Sequence, residues 1–222
     1  IKFLKNNNHI NYYLTDGGEE PFSEIITWLM NNKKTDIPKN IISLKENGEL
    51  FNSGRRPLKK DANHISSPYL MGYLDEFLDL NMVPLLETNR GCPFRCTFCA
   101  WGMASHDIVS RLNIDNTIEE IKYIGERTRV NNWIICDANF GMLKRDVEIA
   151  KAIRKIHDEY NFPKKCNMWL SKNTISRNLE IAEILDDMIE PVMAIQSMDE
   201  NVLKNIKRNN ISTDTYFKYQ KR

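Results

Sequence analysis

The sequence predicts an α/β fold in which the larger, C-terminal part is a partial (β/α) barrel. From Met82 onward, short apolar runs alternate with segments whose apolar residues recur every three or four positions, which are the patterns of buried strands and amphipathic helices. A loop with three cysteines follows the first of those strands. Alternating strands and helices favour a parallel sheet whose functional residues lie at the carboxyl ends of the strands. The chain has 222 residues, 41% of them hydrophobic, so it can bury a sizeable core.

The first 40 residues predict one strand, a turn and a helix. Residues 11–14 are a short β-prone run, and the turn follows at Gly17 and Gly18. Glycines at the start of a helix can bind phosphate, but Glu19 and Glu20 would repel an anion here. The helix is predicted from apolar residues that share one face, namely Phe22, Ile25, Ile26, Leu29 and Met30.

Residues 41–70 predict a hairpin followed by a linker. Residues 41–44 and 49–51 are strand-like, and Asn47 and Gly48 between them supply the positive φ angles that a short hairpin loop needs. Residues 52–69 are rich in Ser, Pro, Lys and Arg, which is typical of a connecting segment. We therefore predict three parts: residues 1–40, the hairpin and linker of residues 41–70, and a barrel domain of residues 71–222.

The barrel domain is predicted to contain four strand-helix units. The strands are assigned to residues 83–87, 133–136, 167–170 and 192–195. The first three are followed by helices whose apolar faces are Ile114, Ile118, Ile121 and Ile124, then Val147, Ile149, Ala150, Ile153 and Ile156, then Ile181, Ile184, Leu185 and Met188. A shorter helix is predicted at residues 200–206.

The cysteine loop is the most informative chemical feature. Cys92, Cys96 and Cys99 have the spacing C-x3-C-x2-C. Three thiolates on one loop can hold three irons of a cubic cluster, whereas a cluster held entirely by protein takes four cysteines, so one iron would stay open for chemistry. The alternative is a structural zinc ion held by the same cysteines and His106.

The two remaining cysteines, Cys136 and Cys166, are not predicted to be ligands. Each lies in an apolar stretch that is predicted to be a strand. A free cysteine in such a position commonly packs as a small buried apolar residue.

The loop resembles the signature of the radical S-adenosylmethionine (radical SAM) enzymes, including Phe98 immediately before the last cysteine. The resemblance implies a [4Fe-4S] cluster bound through Cys92, Cys96 and Cys99. It also implies that S-adenosylmethionine chelates the open iron and is cleaved by reduction to a 5′-deoxyadenosyl radical. The family barrel has six units and this sequence predicts four, so the chain is expected to be a fragment whose barrel is truncated at the C-terminus.

The N-terminal part resembles one subgroup of this family. Its strand, turn and helix are similar to the C-terminal end of the Rossmann-like cobalamin-binding domain that precedes the barrel in that subgroup, and residues 67–70 are similar to the element that bridges the two domains. This implies methyl transfer with cobalamin in the full-length protein, or another hydrogen-abstraction chemistry. His9 and His64 are predicted to be solvated. The alternative to an enzyme is a non-catalytic iron-sulfur or zinc binding module.

Residues near the predicted strand ends are candidates for holding S-adenosylmethionine. They are Asp137, Asn139, Ser171 and Gln196, and the family resemblance adds Phe98 and Arg208. Gly141 would let the backbone approach a ligand, and Ser171 could reach a carboxylate or a ribose. The resemblance implies that Phe98 lies near the adenine, that Gln196 reaches the ribose, and that Arg208 pairs with the methionyl carboxylate, a task that suits guanidinium. Turn and capping roles for Asp137 and Ser171, and a solvated Arg208, remain the alternatives.

Composition limits the partners. A net charge of +1 gives no field that would select nucleic acid or an anionic membrane, and no apolar stretch approaches the roughly 18 residues that a membrane span needs. Cysteines that must stay reduced favour the cytoplasm. We expect a small-molecule or unknown substrate and an electron donor such as flavodoxin or ferredoxin.

Overall fold

The computed structural model describes residues 2–15, 17–57, 62–102 and 108–221. The chain divides into two compact units, residues 1–58 and 59–222. Within the described ranges, no helix has the length and apolar character needed to cross a membrane. The three-part division of the chain predicted from the sequence stays a prediction.

The first unit has a three-stranded antiparallel sheet and two helices. Its elements are α1 (Lys2–Asn6), β1 (Tyr12–Leu14), α2 (Glu19–Met30), β2 (Ile41–Leu44) and β3 (Leu50–Asn52). Strand β2 is central, with Tyr13 opposite Ile42 and Ser43 opposite Phe51. The predicted hairpin is therefore confirmed, and Gly48 has the positive φ of +77° that its loop needs.

The apolar face predicted for α2 is mostly exposed. Ile25 is buried, but the other four residues of that face are exposed. The helical spacing correctly predicted the helix, yet spacing alone does not say what covers a face.

The second unit contains the parallel sheet. Its strands are β4 (Leu85–Leu86), β5 (Asn89–Arg90), β6 (Ser110–Arg111), β7 (Asn132–Ile135) and β8 (Lys165–Asn167). Its helices are α3 (Asp75–Asp79), α4 (Ile114–Arg127), α5 (Asp146–Tyr160), α6 (Ile175–Leu185), α7 (Glu200–Asn205) and α8 (Thr213–Gln220). Strands β4, β7 and β8 pair in parallel in that order. Strands β5 and β6 form a separate antiparallel ribbon, and the cysteine loop lies between them in the sequence.

The core of this unit forms because each helix turns its predicted apolar face inward. Ile121 and Ile124 of α4, Ile153 of α5 and Ile181 of α6 are at most 1% exposed, as is Trp133 of β7. Tyr69 joins this core, and its hydroxyl both donates to the carbonyl and accepts from the N–H of Leu85, each at 3.1 Å. The linker is thereby fixed to the start of β4.

Two of the strand assignments need correction. Residues 192–195 are not a strand in the described chain, which has three parallel strands rather than four. Val192 is 67% exposed, so this apolar run is not built into a sheet. The third strand begins earlier than predicted, at Lys165, and only an isolated bridge pairs Leu170 with Phe140. Helix α8 was not predicted, because its sequence lacks a clear apolar face.

Candidate functional site

Asp137, two residues after the end of β7, fixes the chain that leads into the cysteine loop. Its buried carboxylate accepts hydrogen bonds from the N–H groups of Thr88 and Asn89 at 2.7 and 3.1 Å, and from both of their side chains at 2.5 Å. Burial raises the pKa of Asp137 to about 6. On the other side, Arg145 donates to the carbonyl of Thr88 at 2.7 Å. These contacts hold β5 in place, two residues before Cys92.

The cysteine loop itself is tightly wound. The N–H of Cys99 donates to the carbonyl of Cys96 at 3.1 Å, and that of Gly102 donates to the carbonyl of Cys99 at 2.9 Å. A β-carbon on Gly102 would lie only 2.2 Å from the carbonyl oxygen of Cys96. The loop therefore requires glycine at this position. Of its three cysteines, Cys92 and Cys96 are buried and Cys99 is partly exposed.

All three cysteines line one cavity of about 210 Å³. It also contains four of the six cofactor residues predicted from the sequence, namely Phe98, Asn139, Gln196 and Arg208. The sequence did not single out the remaining lining residues as cofactor contacts; they are Phe94, Trp101, Ala138, Trp169, Leu170, Lys172 and Ala194. Most of the candidates predicted from the sequence therefore line the same cavity as the three cysteines.

Two side chains donate toward the sulfur atoms. The amide nitrogen of Asn139 lies 3.1 Å from Sγ of Cys92. The guanidinium of Arg208 lies 3.9 Å from Sγ of Cys96, and it also donates to the carbonyl of Ala194 and to Asn210 Oδ1. Arg208 is buried, so the solvated alternative is wrong for this residue.

Gln196 and Phe98 are the exposed members of the predicted set. The Phe98 ring is 54% exposed at the cavity. Gln196 has a positive φ of +67°, which is uncommon outside glycine. Backbone strain of this kind is concentrated at functional sites.

Asp137 and Ser171 do not line this cavity. Asp137 bonds to the chain before the cysteine loop, as described above. Ser171 is 1% exposed, and its hydroxyl has no hydrogen-bond partner among the described residues. Gly141 has a φ of +85°, and a β-carbon there would lie 2.5 Å from Oδ1 of Asn178. The close approach at Gly141 is therefore to α6.

The two cysteines outside the loop, Cys136 and Cys166, differ from each other. Cys166 is 2% exposed in β8, and burial raises its pKa to about 12. The prediction of a buried apolar thiol is confirmed for Cys166. It is wrong for Cys136, which is exposed directly after the end of β7.

Lys172 is the polar lining residue that the sequence did not reveal. It is 8% exposed, its Nζ donates to the carbonyl of Asn209 at 2.8 Å, and the same atom lies 4.1 Å from the centroid of the Phe94 ring. Burial lowers the pKa of Lys172 and so does Arg208, while Cys96 and Cys92 act in the opposite direction. The one available signal was its position directly after Ser171, at a strand end.

The donor set suits a cluster. The three thiols are free of disulfides and share one cavity. Among the residues that the structure describes, no three His, Cys, Asp or Glu side chains are placed to share a single metal ion. A zinc site gathers four ligands around one ion, whereas a cubic cluster distributes its thiolates over separate irons. His106, the alternative zinc ligand, lies outside the described residues.

Two curated proteins are similar to this chain in sequence. The chain is 36% identical over 178 residues to 2-(S-pantetheinyl)-carbapenam-3-carboxylate methyltransferase of Streptantibioticus cattleyicolor, covering 75% of this chain and 26% of that protein. It is 29% identical over 229 residues to the cobalamin-dependent radical SAM methyltransferase TokK of Streptomyces tokunonensis, covering 99% of this chain and 34% of TokK. The chain thus spans about a quarter to a third of the length of these curated relatives.

A solved structure has the same fold. TsrM, a radical S-adenosylmethionine methyltransferase from Kitasatospora setae solved with cobalamin and a [4Fe-4S] cluster bound, matches with a TM-score of 0.69 and 14% identity, over 99% of this chain and 45% of that chain. The predicted α/β fold of the radical SAM type is thereby confirmed. The Radical SAM superfamily also matches residues 86–218, which is more than half of the chain. This protein therefore belongs to the radical SAM superfamily of enzymes.

Proposed function

We propose that Cys92, Cys96 and Cys99 bind a [4Fe-4S] cluster and that the protein uses it to cleave S-adenosylmethionine. The observation that carries this proposal is the single cavity that all three free thiols line. The donors of Asn139 and Arg208 near two of the sulfur atoms add support, because N–H groups stabilise thiolate sulfur. When bound, the cluster would supply the electron that cleaves S-adenosylmethionine to a 5′-deoxyadenosyl radical.

The chain's own residues would bind and orient S-adenosylmethionine at the same cavity. Phe98 offers an exposed ring against which the adenine can pack. Gln196 would donate to the ribose hydroxyls, and Arg208 would place a positive charge near the methionyl carboxylate. For Asp137 we propose an indirect role, in which it holds the loop that carries the ligands. For Ser171, which is 1% exposed and does not line the cavity, we propose no direct contact with the cofactor.

For the longer protein we propose cobalamin-dependent methyl transfer to a small molecule. The two relatives with the highest coverage of this chain are named methyltransferases, and one is named cobalamin-dependent. We propose that residues 1–40 are the end of a cobalamin-binding domain, that residues 41–70 connect it to the barrel, and that residues 71–222 are the radical SAM core. An electron donor such as flavodoxin or ferredoxin would act as a partner in the cytoplasm.

Anaerobic reconstitution tests the cluster. We expect the chain to take up about four irons and four sulfides and, after reduction, to give the paramagnetic signal of a [4Fe-4S] cluster. Replacement of Cys92, Cys96 or Cys99 by Ser should abolish this uptake. The matched control is Cys136→Ser, which changes an exposed cysteine outside the loop and should leave iron uptake unchanged. Zinc in place of iron, or full iron uptake by the loop variants, would contradict the proposal.

The reaction is tested on the full-length protein with dithionite and S-adenosylmethionine. Release of 5′-deoxyadenosine, or of S-adenosylhomocysteine by a methylating enzyme, is the expected result. If a loaded cluster yields neither product, the chain is a cofactor-binding module without turnover.

A further inference from the structure

We propose that Lys172 raises the reduction potential of the cluster by holding a fixed positive charge against the cysteine loop. The proposal depends on the cluster proposed above. It concerns a residue that has no role in the ligand set and that sequence reasoning did not identify.

Two contacts fix the ammonium group in place. Its nitrogen lies 4.1 Å from the centroid of the Phe94 ring, and it donates to the carbonyl of Asn209 at 2.8 Å. Phe94 lies midway between Cys92 and Cys96 in the loop, and Asn209 directly follows Arg208. The charge is therefore held at the loop from two sides, with little freedom to move into solvent.

The described lining of the cavity offers no ordinary counter-ion for this charge. Lys172 is 8% exposed, and burying an ammonium group is costly unless an anion compensates it. Among the described residues that line the cavity there is no Asp or Glu. The groups whose negative charge would favour the charged form of Lys172 are Cys96 and Cys92. The negative charge of the cysteine loop with its cluster bound would compensate the buried ammonium group, which explains why a lysine can be buried here.

The direction of the effect follows from charge. Reduction adds one electron to the cluster and removes one from the reductant, so the cluster becomes more negative by one charge. A nearby ammonium group stabilises the reduced state more than the oxidised state. Charges and hydrogen bonds around the cysteine ligands are known means by which proteins tune such potentials. Lys172 should therefore make reduction easier.

The test is a redox titration of the anaerobically reconstituted chain, monitored by paramagnetic resonance and performed without S-adenosylmethionine. At the midpoint potential of the unchanged protein, the ratio of reduced to oxidised cluster in Lys172→Met should be about tenfold lower, which is about 59 mV for one electron. Lys172→Arg retains the charge and should restore the ratio. The matched control is Lys165→Met. Lys165 also donates to a backbone carbonyl, at 2.6 Å, but it lies at the start of β8, whereas Lys172 follows the end of that strand.

A second variant separates charge from hydrogen bonding. Lys172→Gln keeps a donor that can reach toward Asn209 but removes the charge, so it should shift the potential as Lys172→Met does. It also answers the question if the Met variant fails to assemble a cluster. An unchanged midpoint in Lys172→Gln with an intact cluster overturns the proposal. Absence of any cluster in the unchanged chain would instead contradict the proposed function.

Discussion

Asp137 shows how one buried carboxylate can hold the chain before the cysteine loop in place. It accepts four hydrogen bonds from two consecutive residues, Thr88 and Asn89, and two of these bonds come from backbone N–H groups. The bonds favour the charged form, but burial outweighs them and raises the pKa to about 6. A carboxylate in this position therefore makes the stability of the unit depend on pH.

The sign of that dependence can be predicted. A carboxyl group whose pKa is higher in the folded chain than in the unfolded chain binds more protons when folded. The free energy of unfolding should therefore fall as pH rises from about 4 to about 6, by about 3 kcal/mol for Asp137. In Asp137→Asn this part of the slope should be absent. Denaturant unfolding of the metal-free chain at several pH values in this window measures it.

Comparing how the free energy of unfolding depends on pH in the variant and in the unchanged chain isolates the contribution of Asp137. Burial also raises the pKa of Asp146 and Glu120, and these groups contribute in the same direction to both variants. Asp158→Asn, on the exposed side of α5, is the control and should keep the slope of the unchanged chain. Equal slopes in Asp137→Asn and the unchanged chain would contradict the assignment.

At the scale of single residues, the sequence located the site but not the direction of each side chain. Asn139 could be placed because residues after successive parallel strands meet at one edge of the sheet. Gln196 was placed after a predicted strand that the described chain does not form, and Arg208 was placed by the family resemblance. Asp137 follows the same rule, yet it bonds to the neighbouring chain instead of lining the cavity. Lys172 was missed because lysines are mostly exposed, and only the tertiary contacts show that this one is buried.

At the scale of elements, the packing of α4 on α5 depends on a glycine. Gly125 is buried in α4, and a β-carbon there would lie 2.3 Å from Cγ2 of Ile156 on α5. This methyl group is attached to the β-carbon of a buried side chain, so it has little room to move. The two helices can approach each other closely at this point because residue 125 has no side chain.

Gly125→Ala should therefore destabilise the chain. Overpacking costs about 1–3 kcal/mol, while alanine recovers about 1 kcal/mol of helix propensity, so we expect a net loss of up to about 2 kcal/mol in a denaturant titration. Ile156→Ala removes the methyl group that the new side chain would meet. The loss in the double variant should thus be smaller than the sum of the two single losses.

The control for this prediction is Gly18→Ala. A β-carbon at Gly18 meets nothing within 4 Å, so the substitution causes no overpacking, and its cost should be only that of alanine at the N-cap of α2, roughly 0.5–1 kcal/mol. Strict additivity of Gly125→Ala and Ile156→Ala would show that the two positions are not in contact.

Helices could be predicted from this sequence more accurately than strands. The apolar faces of α4, α5 and α6 follow from the spacing of apolar residues within each helix, so local sequence is sufficient to predict them. A strand also requires a neighbouring strand, and local sequence does not supply that information. Residues 192–195 are apolar enough for a strand, yet no partner pairs with them in the described chain.

At the scale of the whole molecule, the two compact units differ in how much they bury. Among the described residues of the first unit, the buried apolar side chains other than proline are Leu4, Ile25 and Ile41. The second unit has a continuous core that includes all of its central helices. A segment of about 60 residues is marginally stable even with a good core.

We therefore predict that the first unit opens at lower free energy than the second. In native-state hydrogen exchange, the amides of β1 and β2 should exchange faster than those of β7, which is bonded on both sides by β4 and β8. Mass spectrometry of peptides from the two regions gives the comparison directly. Equal protection of β2 and β7 would contradict this prediction.

The cysteine loop is held by contacts with residues much later in the chain, and this affects when the site can form during synthesis. The N–H of Thr97 donates to the carbonyl of Ile206 at 3.0 Å, and Arg208 reaches Cys96 across 112 residues of sequence. Because synthesis on the ribosome proceeds from the N-terminus, the thiols emerge long before the residues that fasten them. Iron delivered to a nascent chain would meet an unfinished loop, so we expect insertion of the proposed cluster only after translation has passed Arg208.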